Sequence, residues 1–172
     1  MEPEPLLEQD GMEVLRYPVG RLRPQRELDD EQRATLVAEI AALPEALAAA
    51  VAGLGAEQLA TPYRPGGWTL RQVVHHVADS HMNAYVRFKL AYTQDEPTIT
   101  PYDEARWAQL PEAQDGDVAV SLQLLDALHT RWAQFLRSVE AAEWSRAYLH
   151  PELGRVTLDV ALQIYAWHCR HH

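Results

Sequence analysis

Cysteine is nearly absent from this 172-residue chain: Cys169 stands alone. No intrachain disulfide can form, which suits a reducing compartment. An excess of basic residues is also missing, with 15 Lys and Arg against 25 Asp and Glu and a formal net charge of −10. Phosphate backbones and anionic lipid surfaces would repel such a chain, so nucleic-acid and membrane partners are not expected. No contiguous apolar run approaches the roughly 18 residues that a bilayer crossing needs. The opening MEPEPLLEQD is acidic and carries prolines, unlike the basic and then apolar start of a signal peptide. Internal repeats are absent. These features together predict a soluble, cytoplasmic protein.

What is present is globular in character. Hydrophobic residues make up 47% and charged residues 23%, and a chain of this length buries about 70% of its unfolded surface. Residues 1–28 read as an extended leader, because Pro18, Gly20 and Pro24 block regular helix. Residues 29–172 form one domain. A first helix starts at Asp29 or Asp30 and runs toward Leu54, kinked or split at Pro44 and stopped by Gly55. TPYRPGGW is a loop. Thr69 and Gln72 then make a T-x-x-Q capping box that opens a second helix, expected to run to about Thr93.

A short helical piece is expected at 103–110 and a third long helix at Val118–Val139, striped by Leu122, Leu125, Leu128, Trp132 and Phe135. Residues 141–146 add a turn of helix. AYLHPELGRVTL makes a hairpin-like reversal, and a last helix runs from near Thr157 to the end. Four long helices with little strand predict an all-α four-helix bundle with short connecting helices.

The eight histidines carry the chemical signal. Histidines four positions apart share a helix face, so His168 and His172 at the end of the last helix can reach one ion. They continue the inward face set by Leu158, Ala161, Leu162 and Tyr165, whereas His171 is rotated aside. A tag remnant is the plain alternative for the terminal pair. On the second helix, advancing about 100° per residue places His81 among Leu70, Val77 and Phe88, as a hydrogen-bonded core histidine. His75 points away from that face, toward solvent.

His76 belongs to a separate stripe with Ser80, Asn83 and Arg87, edged by Asp79. Polar stripes usually face solvent, but this one lacks lysine and glutamate and suits a polar pocket inside a bundle. His129 and His150 read as structural or exposed. Cys169 reads as a plain buried cysteine, since neighbours at i and i+1 on a helix do not face each other.

The run PGGWTLRQVVHHVADSHMNAYVRFKL, with YPVG before it, PYDEARW after it and YAWHCRHH at the end, resembles the YfiT-like branch of the DinB superfamily. The resemblance spans about Tyr17 to His172. It implies a four-helix bundle, cytoplasmic and homodimeric, that holds one divalent metal ion per subunit through three histidines, zinc foremost and nickel second. By motif the first ligand is the histidine eight residues after Trp68, which is His76, and the others are His168 and His172.

The implied activity is metal-dependent hydrolysis, in which a three-imidazole site activates water for attack on a small-molecule substrate. Some relatives resemble thiol S-transferases, so transfer of a low-molecular-weight, bacillithiol-type thiol is the alternative. A third reading is a stress-related helical bundle whose metal is structural. Asp79 is the candidate catalytic residue, as general base or as orienter of a ligand, and Asn83 and Arg87 are candidate substrate contacts.

Overall fold

A computed structural model describes residues 11 and 13–172. Four long helices dominate: α1 (Asp30–Val51), α2 (Leu70–Thr93), α3 (Val118–Arg137) and α4 (Leu158–His171). Each begins where a short polar side chain satisfies an orphan backbone donor. Asp29 and Thr69 build reciprocal boxes with Gln32 and Gln72, and Asp117 and Thr157 accept from Ala119 and Val160. Short helices Ala56–Leu59, Glu104–Trp107 and Pro111–Asp115 fill the connections. A 3-10 turn at Ala141–Ser145 precedes an antiparallel hairpin, β1 (Ala147–His150) and β2 (Gly154–Thr157), paired from Ala147↔Thr157 to His150↔Gly154.

The helices are not wound in simple order. α1 packs against α3 and α4, α2 packs against the same two, and the pairs α1/α2 and α3/α4 lie across the diagonal. This arrangement sets α2 beside α4, which brings the His76 stripe against the last helix. Phe88, Trp132, Leu158 and Leu162 fill one part of the core, and Leu43, Val74, Val77 and Leu125 fill the other. Arg33 of α1 grips Asp159 in the first turn of α4 with two bonds of 2.8 Å. The carboxylate is only 3% exposed, and its place beside a helix N-terminus adds a favourable dipole contact. Arg170 pairs with Glu39 nearer the other end of α4.

Several boundaries differ from the sequence reading. Gly11 and residues 13–16 are helical, so the leader is not extended throughout; Pro18 limits only the segment around itself. Residues 1–10 and 12 of that leader lie outside the described residues. α1 is one continuous helix through Pro44 and stops at Val51, before Gly53 takes φ 78°.

α1 is long and apolar enough by length and composition to cross a bilayer, with a mean hydropathy of 1.6 in an 18-residue window of its 22 residues. Its many alanines raise the mean, while Glu39, Pro44 and Glu45 keep any apolar run short. Its larger side chains Val37, Ile40, Leu43 and Leu47 are buried.

Candidate metal centre

Two neighbouring helices and one loop assemble the centre. His76 lies on the second turn of α2, directly after the capped start that the loop PGGW feeds. Gly66 takes φ 66°, and a Cβ on Gly67 would lie 2.7 Å from the Arg64 side chain, so this turn requires glycine. It seats Trp68 against His76, with ring centroids 4.6 Å apart. His168 lies in the final turn of α4 and His172 is its C-cap, while Thr157 caps the start and the hairpin fixes the entry.

The nearest ring nitrogens of His76, His168 and His172 all lie within 4.8 Å of one another. His76 Nε2 and His168 Nε2 are 3.3 Å apart. Two imidazole nitrogens bound tetrahedrally to one ion at about 2.0–2.1 Å would lie about 3.3–3.4 Å from each other. The donors therefore fit a divalent cation.

Electrostatics favour neutral, ligand-ready rings. Burial, followed by the charge of His171, lowers His76 to about 4. Burial, then His76 and His171, lowers His172 to about 3. Burial also holds His168 well below the ordinary imidazole range, with His81 and the other histidines adding to the effect. A neutral imidazole offers a lone pair, whereas an imidazolium offers none.

Behind His168 runs a chain of imidazoles through the core. His168 Nδ1 is 2.9 Å from His81 Nε2, and His81 Nδ1 is 2.8 Å from His129 Nε2. His129 Nδ1 lies 2.6 Å from the Ile40 carbonyl oxygen. That carbonyl can only accept, so His129 Nδ1 carries a proton and donates it. Burial lowers the pKa of all three rings, which keeps them neutral at pH 7 and gives each a single proton.

His129 Nε2 must then accept from His81 Nδ1, and His81 Nε2 must accept from His168 Nδ1. The proton on His168 is thereby held on Nδ1, leaving the Nε2 lone pair facing His76. Metal-ligating histidines characteristically donate their second nitrogen to such a partner.

The terminal acceptor has its own cause. Ile40 lies four residues before Pro44, and proline has no N–H with which to close that helical bond. Pro44 leaves the Ile40 carbonyl without its helical donor, and His129 supplies one from α3.

The triad opens on a cleft of about 500 Å³ whose walls include Trp68, Ser80, Arg87, Tyr102, Tyr165 and His171. Burial raises the Tyr102 and Tyr165 phenols above their ordinary range, so both enter the cleft as neutral O–H groups. Arg87 faces this space, as the stripe suggested. Asp79 and Asn83 do not line it: the Asn83 amide donates to the Asp79 backbone carbonyl at 2.9 Å. Asp79 is half-buried, and burial followed by Glu112 raises it to about 6.

His75 corrects the solvent-facing expectation. It is only 8% exposed, lies 2.7 Å from the Ser121 hydroxyl, and is covered by the connection around Gly116. His81 is fully buried and hydrogen-bonded, in agreement with its angular placement. His150 accepts the Glu152 amide in the hairpin turn. Burial pushes the Cys169 thiol up to about 12, in keeping with an inert cysteine. Tyr102 and Tyr165 were not anticipated as cleft residues. Tyr165 lies one turn before His168 and could have been found from that spacing.

A four-helix bundle with a three-histidine cluster at the mouth of a polar cleft is thus the class of protein defined by fold and site. The DinB superfamily model matches residues 27–172, and the chain belongs to that superfamily. It is 51% identical over 161 residues to a protein of Bacillus cereus (strain B4264) named "Putative metal-dependent hydrolase", covering 94% of this chain and 92% of the relative. A protein of the same name from Bacillus thuringiensis subsp. konkukian (strain 97-27) is 50% identical over the same shares. Among solved structures, YfiT from Bacillus subtilis matches with a TM-score of 0.90 and 44% identity, over 92% of this chain and 91% of that one. It is described as "a probable metal-dependent hydrolase with an unusual four-helix bundle topology".

Proposed function

We propose that this protein is a metal-dependent hydrolase whose divalent ion, zinc foremost and nickel second, is held by His76, His168 and His172. The observation that carries the reading is the convergence of three neutral imidazoles within 4.8 Å at a cleft mouth. Three protein ligands leave a coordination position open, unlike the closed four-ligand sets of structural zinc. Bound there, such an ion supplies Lewis acidity and brings the pKa of a water toward neutrality.

The chain's own residues do the rest. His81 orients His168, and Trp68 packs against the ring of His76. Tyr102 and Tyr165 supply neutral hydroxyl donors to the cleft that receives the substrate. With Asp79 outside the cleft walls, it is not assigned as the base; the relatives' names support hydrolysis without naming one.

The test begins with tag-free protein, because the terminal histidines are part of the proposed site. Elemental analysis after dialysis against zinc is expected to find one ion per chain in the wild type. It should find almost none in His76→Ala or His168→Ala; stoichiometric metal in both variants rejects the site. A panel of small esters and amides is then assayed with and without chelator. Chelator-sensitive cleavage supports hydrolysis. Metal-dependent consumption of a low-molecular-weight thiol by an electrophile, with no ester or amide cleaved, assigns thiol transfer instead.

A further inference from the structure

Among the described residues, Arg87 has no anionic partner that matches its charge. Its side chain lies in the core end of the cleft and is only 8% exposed. A guanidinium stays ionised at any physiological pH and presents five N–H donors in a planar fork. One of these, on Nη2, reaches the Thr100 carbonyl at a long 3.4 Å. Nε is buried and has no hydrogen-bond partner, and no carboxylate pairs with Arg87 among the described residues. The contrast with Arg33 is direct, since that guanidinium is closed on Asp159 through two bonds of 2.8 Å. Buried charges are costly unless paired, so an arginine held this way has room for a counterion that the described residues do not provide.

The surroundings favour an anion. Tyr165 and Tyr102 line the same cleft as neutral phenols, able to donate to an oxyanion without opposing its charge. Arg64 adds a second cation to the walls, against one carboxylate, Glu104. Arg87 follows His76 by eleven residues on α2, about three turns, so both lie on one face of the helix. Long helical side chains lean toward the N-terminus, which directs Arg87 back toward the histidines.

We propose that Arg87 is the anchor of an oxyanion subsite, and that the substrates of this protein carry a carboxylate or phosphoryl group at the end remote from the reacting bond. This rests on the metal-centre reading only in placing the other end of the substrate at His76, His168 and His172. The planar Nε/Nη edge suits a carboxylate best, because two parallel N–H···O bonds can form.

The probes are glutarate, glutaramide and inorganic phosphate, titrated into tag-free protein with and without zinc. Calorimetry gives the affinities, and the Arg87 Nε–H resonance reports the contact. Wild type is expected to bind glutarate about tenfold or more tighter than glutaramide, with the Nε–H signal moving downfield. Arg87→Met should lose that preference, and Arg87→Lys should keep part of it through charge alone. Phosphate that moves the same resonance extends the subsite to phosphoryl groups, and phosphate without effect restricts it to carboxylates.

Equal binding of glutarate and glutaramide by the wild type overturns the proposal and needs no variant. An unshifted Nε–H signal, or a preference that survives Arg87→Met, overturns it as well. Zinc that fails to bind, or fails to strengthen glutarate binding, counts against the metal centre and leaves the Arg87 contrast readable in the metal-free arm.

Discussion

The two groups of histidines in this bundle use the same side chain for opposite ends. In the core, His81 and His129 have every ring nitrogen occupied: one chain of hydrogen bonds joins them to each other, to His168 and to the Ile40 carbonyl. At the cleft, the nearest ring nitrogens of His76, His168 and His172 converge on one another. Hydrogen-bond saturation, more than burial, separates a structural histidine from a ligand, because His168 is deeply set yet belongs to both groups. Its Nδ1 is spent on the core and its Nε2 is left to the cleft.

The largest effect should come from breaking the member that the groups share. His168→Ala removes a ligand and also leaves His81 Nε2 without its donor. Zinc retention after dialysis should fall from one ion per chain to below detection, with a loss of stability of about 1–3 kcal/mol for the unpaired core nitrogen. Elemental analysis and urea denaturation read the two effects separately. Full zinc retention would mean that the two groups are not joined at His168.

His81→Phe comes next and tests the connection alone, since all three proposed ligands remain. Loss of an outer-shell partner typically weakens metal binding about 10–100-fold, and that range is expected here in competition with a chromophoric chelator. In metal-free wild type, 15N–1H correlation spectra should show His168, His81 and His129 each protonated on Nδ1. An Nε2–H tautomer at His168 would refute the inferred direction of the chain.

The pH dependence of stability sharpens the comparison further. Burial lowers the pKa of His76, His81, His129, His168 and His172, so the unfolded chain binds protons that the folded chain refuses. Stability from these groups is full above the unfolded histidine value of about 6.5. It declines as pH falls from there through about 4 for His76 and about 3 for His172. Asp79, raised to about 6, works the other way, because the folded state then holds the extra proton. Urea midpoints of metal-free protein should fall between pH 7 and pH 5, and more steeply in Asp79→Asn. A flat profile in both proteins would contradict the neutral-ring picture.

Much of this was legible in the residues and some was not. Helical periodicity and the Thr69–Gln72 box located α2, and the i, i+4 spacing aligned His168 with His172. Angular placement separated His76 from His81 because both lie on one regular helix, where side-chain direction follows from position. The same method failed for His75, which faces away from the main apolar stripe but is covered by the Gly116 connection. Helix angles do not report what a loop will cover. Asp79 and Asn83 were grouped with the cleft by their stripe, yet the Asn83 amide turns back to its own helix. The imidazole chain crosses three helices, and no local spacing encodes it. Its one visible trace was Pro44, legible as a kink or break but not as the source of a free carbonyl.

That proline offers the mildest and most specific way to disturb the core group. Pro44→Ala restores an N–H aimed at the Ile40 carbonyl, so a helical donor competes with His129 Nδ1 for the same oxygen. Both can be accommodated, since a carbonyl oxygen has two lone pairs, but the His129 bond should lengthen. Helix propensity improves at the same position, so global stability should hold or rise. Zinc affinity should fall by less than the roughly tenfold lower bound for removing an outer partner, while the His129 Nδ1–H resonance moves upfield. A stability gain with unchanged His129 resonance and unchanged affinity would show that His129 does not depend on the carbonyl freed by Pro44. A parallel loss of His129 hydrogen bonding and zinc affinity, in a protein no less stable, would trace the orientation of a cleft ligand to a missing backbone proton on α1.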